Sequence, residues 1–203
     1  MIERLSIAQG QPQTNESALI MVGSFAPLHP GHIDAMESAE RVLLSIGDSA
    51  AGAVFAPNSD SYVSVKLNDT DGKWSFDRRV SHFLGKDAKL ATPVYVDDIT
   101  GKTPPERSIS EEVIDTVSKQ LGTKACNAVL VVGSDQILSM KAHIERNRVI
   151  CVLRPGYINA LYEHENDAWF KDAVYEHRFF ITTHMDMASK LSSTAIRENV
   201  QQS

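Results

Sequence analysis

Apolar residues fall along this chain in two alternating patterns. Short runs that are apolar almost throughout, at 19–22, 53–56, 93–96, 128–132, 149–153 and 179–182, predict strands, several of them covered on both faces. Between them, 31–46, 75–84, 110–121 and 136–144 carry apolar residues at helical spacing behind plausible start signals. This strand-then-helix order predicts an α/β protein with a doubly wound parallel sheet and helices on both faces. Ligands of such a sheet sit in the crevice at the carboxyl ends of its strands. Residues 1–17, rich in Gln, Ser and Asn, predict a polar tail or an extra cap on a single domain spanning 18–203. The longest connections, 57–73 and 97–109, are rich in Asp, Ser, Thr, Gly and Pro, and predict loops that close over a ligand.

Composition narrows the choice of ligand. With 203 residues, 42% hydrophobic and 23% charged, the chain can bury one substantial core. Its 26 acidic and 20 basic side chains leave a formal charge of −6, which argues against a nucleic-acid partner held through many phosphates. A nucleotide-sized anion remains compatible, because a local group of cations and backbone N–H donors overrides net charge. The two cysteines, Cys126 and Cys151, flank apolar runs and predict buried reduced thiols. No signal-peptide pattern and no membrane-length apolar run is present, so a cytoplasmic protein without a membrane partner is expected. Assembly into a homo-oligomer is left open.

Two segments carry candidate chemistry. The first, Gly23-Ser24-Phe25-Ala26-Pro27-Leu28-His29-Pro30-Gly31-His32, joins the first long strand to the first long helix. Pro30 suits a first helical turn, Gly31 lets a ligand approach the backbone, and the free N–H groups of a helix start favour an anion. His29 and His32, three residues apart, fall on one face of that turn, where two donors could stabilise charge on a breaking phosphate bond. Their spacing alone would also fit ordinary loop histidines or a pair of metal ligands. The second segment is Leu191-Ser192-Ser193-Thr194-Ala195-Ile196-Arg197. Ser192 or Ser193 can cap a helix beginning at Thr194 and place Arg197 in its first turn as part of an oxyanion cradle, although a simple cap fits equally.

The first segment resembles the Gly-x-Phe-x-Pro-x-His-x-Gly-His signature of the nucleotidylyltransferase superfamily, and the second resembles its Ile-Ser-Ser-Thr-x-Ile-Arg signature, with Leu for the first Ile. Arg197 points to the nicotinamide or nicotinate mononucleotide adenylyltransferase branch. The resemblance implies a Rossmann-like fold with Gly23, Ser24, Phe25, Gly31, Ser192, Ser193 and Thr194 around ATP, and His29, His32 and Arg197 as catalytic groups. It extends to Gly133-Ser134-Asp135, similar to a Gly-Ala-Asp turn whose Asp approaches the ATP ribose, and to Arg154, similar to the Arg of an Arg-x-Gly stretch. Tyr62 and Lys66, with Arg79 further on, resemble an acceptor-binding loop and a helix-borne Arg. By residue type alone, Ser134 and Asp135 could be helix caps, Arg154 a surface cation, and Lys66 and Arg79 solvated charges.

The chain also departs from the family pattern. No Trp occurs in 136–148, where members usually place one, and Glu112-Val113 stands where many have Tyr-Thr before the Asp-Thr pair, here Asp115-Thr116. Both departures lie where the pyridine ring and acceptor are commonly held. Trp74 lies in a long loop within possible reach of that ring, and Trp169 is expected to pack. The reaction the resemblance implies is attack of the acceptor's phosphate on the α-phosphorus of ATP, with pyrophosphate leaving. Mg²⁺ would be held mainly through the ATP phosphates, with no protein ligand named. A different phosphate acceptor, or a nucleotide-binding regulator with little turnover, are the alternatives.

Overall fold

The computed structural model describes residues 1–5, 15–102, 109–154 and 159–183. Seven strands form one all-parallel sheet: β1 (Ile2–Arg4), β2 (Ser17–Gly23), β3 (Ala50–Pro57), β4 (Val94–Val96), β5 (Ala128–Gly133), β6 (Arg148–Leu153) and β7 (Phe179–Thr183). Their order is β1-β4-β3-β2-β5-β6-β7. From β4 to β7 this is the order of a doubly wound dinucleotide-type sheet, with β2 at the point where the winding reverses. All six strands expected from the apolar runs are present.

The sheet is apolar because both of its faces are covered. Leu19 and Met21 of β2, with Ala53 and Phe55 of β3, face one layer, and Ala18, Ile20, Val54 and Ala56 face the other. The first layer contains α1 (Pro30–Ser45), which contributes Ala35, Met36, Ala39 and Leu43, and α3 (Phe76–Ser81), which contributes Phe76 and Val80. The second contains α4 (Ile109–Leu121) with Val113, Ile114 and Val117, and α7 (Ala168–Tyr175) with Phe170 and Ala173. Helix α1 stops because Gly47 takes φ +80°, a left-handed conformation that lets the Gly47 and Asp48 N–H groups donate to the carbonyls of Leu44 and Leu43. No helix of the described residues is long and apolar enough to cross a membrane.

Four expectations need correction. Within the expected polar tail, Ile2–Arg4 forms an edge strand paired with β4, and Ile2 and Leu5 are buried in the two opposite layers. The connection 57–73 contains α2 (Asp60–Leu67), with the Ser59 hydroxyl accepting from the Tyr62 N–H at its start, Asp60 in its first turn and Lys66 in its last. The helix expected at 136–144 is broken into short 3-10 turns at Ser134–Gln136 and Leu138–Met140 followed by α5 (Lys141–Ile144). Ile137 and Ile144 are both fully covered, so the segment follows the core beneath it instead of a single helical axis. Finally, only Cys151 is buried; Cys126 is exposed.

Two outcomes follow from this packing. Ile20→Ala, which empties a fully buried site on the central strand, should cost about 2–5 kcal/mol in a denaturation curve. Val65→Ala, on the exposed face of α2, should change stability by less than about 0.5 kcal/mol. Burial also pushes the Cys151 thiol up to about 12, so it stays protonated and unreactive at neutral pH. A thiol reagent applied to the native protein should therefore label Cys126 alone, and both cysteines only after unfolding.

Candidate functional site

The first segment folds as a tight turn from the end of β2 into α1. Phe25 takes φ +45°, uncommon for a residue with a side chain, and its ring tucks beneath Gly23, where an added Cβ would stand 3.0 Å from it. Edge-to-face contacts of that ring with Phe55, Phe83 and His32, at centroid separations of 5.8, 5.0 and 5.0 Å, hold the turn from below. Pro30 opens α1, and His29 is its extended N-cap.

The two histidine rings are brought together, stacked at 3.8 Å. They are not equivalent. His29 is 3% exposed and sits beneath the turn, whereas His32 is partly exposed and lines the adjacent cavity. The His29 N–H donates to Nδ1 of His32 at 3.3 Å. In a neutral imidazole that acceptor role leaves the proton on Nε2, so His32 is set up as a hydrogen-bond donor.

The cavity, about 200 Å³ in volume, lies at the carboxyl ends of β2, β5 and β6. It gathers Gly23, Ser24, Phe25, Gly31 and His32 from the first turn, Gly133 and Asp135 from the turn after β5, Arg154 from the end of β6, and Lys66 from α2. Nine of the residues singled out from sequence thus meet at one place, although they come from four separate stretches of chain. Lys66 lies at the mouth, its Nζ 5.6 Å from the centre of the Tyr62 ring.

The turns after β5 and β6 are tied to each other. The Ser134 hydroxyl accepts from the Arg154 N–H at 3.0 Å, so Ser134 is a bridge between strand ends and not a helix cap. Arg154 donates to the Asp135 carboxylate at 3.0 Å, with each side chain about a quarter exposed (26% and 25%). Gly133 is confined by this pair, since a Cβ there would lie 2.4 Å from Asp135 Oδ1. Asp135 and Arg154 therefore present an anionic and a cationic group side by side at the cavity wall.

Arg79 differs from its expected place at an acceptor-binding surface. It is 0% exposed, and its guanidinium donates to the carbonyls of Trp74, Ser24 and Asn58 at 2.7, 3.0 and 2.8 Å, and to Asp60 Oδ1 at 3.1 Å. Burial lowers its pKa, opposed by the hydrogen bond and charge of Asp60. With four of its five N–H donors bonded to the protein and no exposed surface, Arg79 is neither a solvated charge nor open to a ligand in this structure. Trp74, whose carbonyl it holds, lines neither this cavity nor the one described next.

A second cavity of about 150 Å³ adjoins the first on the side of the sheet covered by α4, sharing Val22, Val131, Val132 and Gln136 with it. Tyr62 lines it, together with Asn58, Ser110, Ser139 and Met140. The motif reading singled out only Tyr62 here. The other four are isolated polar or apolar residues without a pattern, and only the sheet order brings them together. Ser192, Ser193, Thr194 and Arg197 lie outside the described residues.

Among the described residues no group of three or more His, Cys, Asp or Glu could hold a metal ion. The one carboxylate on the first cavity, Asp135, is already engaged by Arg154. No protein-family model matches the chain, and no curated protein is significantly similar to it.

The Ser134 bridge can be tested by itself. Ser134→Ala would leave the Arg154 N–H without its acceptor, and chemical denaturation should show a loss of about 1–3 kcal/mol. An unchanged midpoint would mean that the two turns are held independently.

Proposed function

We propose that this chain transfers the adenylyl group of ATP to the phosphate of a nicotinate or nicotinamide mononucleotide, releasing pyrophosphate. The observation that carries this reading is the meeting of His32 and the Gly23–Phe25 turn with Asp135 and Arg154 in one cavity at the point where the sheet winding reverses. That crevice is where nucleotides bind in doubly wound sheets. In the proposed arrangement Asp135 takes the ribose hydroxyls, and Arg154 and Lys66 offer positive charge. The start of α1 faces the phosphates, with no acidic residue in its first turn to oppose an anion.

The reaction needs no covalent intermediate. An oxygen of the acceptor's phosphate attacks the α-phosphorus of ATP in line, the α–β bridge bond breaks, and its electron pair leaves with pyrophosphate. The chain's contribution is orientation and stabilisation of that growing charge. Nε2 of His32 donates to the phosphate oxygens, and its stacked neighbour His29 keeps the ring in position. Arg197, outside the described residues, is expected to meet the departing pyrophosphate, with Ser192, Ser193 and Thr194 at the same helix start. The second cavity, with Tyr62 at its wall, is the proposed seat of the acceptor's ring. A divalent ion carried by the ATP phosphates would supply further charge neutralisation.

The deciding experiment is pyrophosphate release with ATP and each pyridine mononucleotide in turn, with and without a chelator of divalent cations. The expected result is dinucleotide from at least one acceptor, abolished by the chelator. ATP binding without dinucleotide from either acceptor would overturn the assignment. His32→Ala should lower the turnover number by about 10²–10³ in a protein that remains folded, the usual loss for a preorganised donor to developing charge. A fully active His32→Ala protein would make the turn a structural feature only.

A further inference from the structure

We infer that Arg79 is a positioning residue: by gripping the Ser24 carbonyl from inside the protein, it turns the Phe25 N–H toward the cavity as a fixed donor to a phosphate oxygen. Four observations meet here. The guanidinium has no exposed surface, and three of its four acceptors are main-chain carbonyls. Ser24 and Asn58 are the first residues beyond the adjacent strands β2 and β3, so one side chain spans two strand ends beside the reversal point.

The Ser24–Phe25 peptide is trans, and in a trans peptide C=O and N–H point in opposite directions. A carbonyl directed at Arg79 therefore sends the Phe25 N–H the other way, to the side where Ser24 and Phe25 line the cavity. That N–H makes no hydrogen bond to any described residue. Finally, Phe25 is held at φ +45°, a conformation that persists only where its surroundings enforce it. The buried fork above and the packed Phe25 ring below supply that enforcement.

The fork matters as well as the charge. An ammonium on a flexible stem cannot hold carbonyls from three separate segments in one plane, so lysine is a poor substitute despite its charge. This inference rests on the adenylyl-transfer reading only for its kinetic consequence. Its structural part concerns any phosphate-bearing ligand of the cavity, and inorganic pyrophosphate serves as the probe.

The experiment uses the full chain labelled with ¹⁵N. Saturating pyrophosphate should shift the Phe25 amide downfield while leaving the Arg79 Nε resonance in place. In folded Arg79→Lys the Phe25 response should disappear. With active protein, turnover in that variant should fall by about 10²-fold, the scale of a misplaced donor, while the Michaelis constant for ATP changes less than about threefold. An Arg79 Nε signal that moves as a direct ligand contact would, a Phe25 amide that ignores pyrophosphate, or an Arg79→Lys protein with unaltered response and turnover would each overturn the inference. If Arg79→Lys does not fold, the two wild-type resonances still decide it. A Phe25 response in a protein that makes no dinucleotide would sink the adenylyl-transfer reading and leave the positioning role intact.

Discussion

A parallel sheet covered on both faces satisfies its backbone through the ladder, but the ladder ends where the strands end. There the peptide groups need other partners or they are buried at a cost. This protein meets the requirement one strand end at a time. Between β2 and β3, the Asn58 N–H reaches back to the Gly23 carbonyl at 2.8 Å, and Arg79 takes the carbonyls just beyond. After β4, the buried Asp97 carboxylate accepts from the Ile99 and Thr100 N–H groups. Between β5 and β6, the Ser134 hydroxyl takes the Arg154 N–H. Of these polar side chains, Arg79 and Ser134 hold the turns that line the first cavity, at the carboxyl ends of the central strands.

The same division explains the chemistry of the two cavities. The turns that build the first are held from within the protein, and the polar groups at its wall include His32, the Asp135–Arg154 pair and Lys66. A ligand with both hydroxyls and phosphates can compete for that ion pair from both sides, because each partner is only partly shielded from water. Among the described residues the second cavity has no charged lining side chain, and its walls are strand side chains such as Ile20 and Leu130 with a few hydroxyls and amides. A cavity with charged lining residues and one without thus adjoin at the sheet's reversal point.

Much of this was legible in the sequence for a simple reason: strands buried on both faces must be apolar at every position, so 19–22, 53–56 and 128–132 stood out. The first turn was legible because His29, Pro30, Gly31 and His32 are contiguous. What escaped notice was decided by long-range partners. Strand β1 has only Ile2 and Leu5 to bury, flanking Glu3 and Arg4, and it exists because β4 offers an edge. Helix α2 had its capping Ser59, its Asp60 and its Lys66 in view, but the surrounding Asp, Ser and Gly residues spoke for a loop. Arg79 was open to an acceptor-binding role or to a solvated charge, because nothing local announces that the distant carbonyls of Ser24 and Asn58 converge on it. For Ser134 a cap was the alternative by residue type, and its bridging role was hidden for the same reason, its partner being twenty residues away.

Strand β1 carries one more consequence. It pairs with the outer side of β4 over Ile2, Glu3 and Arg4, and the Gly85 and Ile2 N–H groups exchange hydrogen bonds with the carbonyls of Ile2 and Lys86. A strand so short would be a poor edge by itself, and its exposed Arg4, paired with Asp98, places charge along the outside. Without those few residues, β4 would present a row of open peptide groups beside an apolar hollow left by Ile2, which is the kind of surface that recruits a second chain. Residues 2–4 thus close the β4 side of the sheet with a strand that is itself short and charged, the form of edge least suited to pairing with another chain.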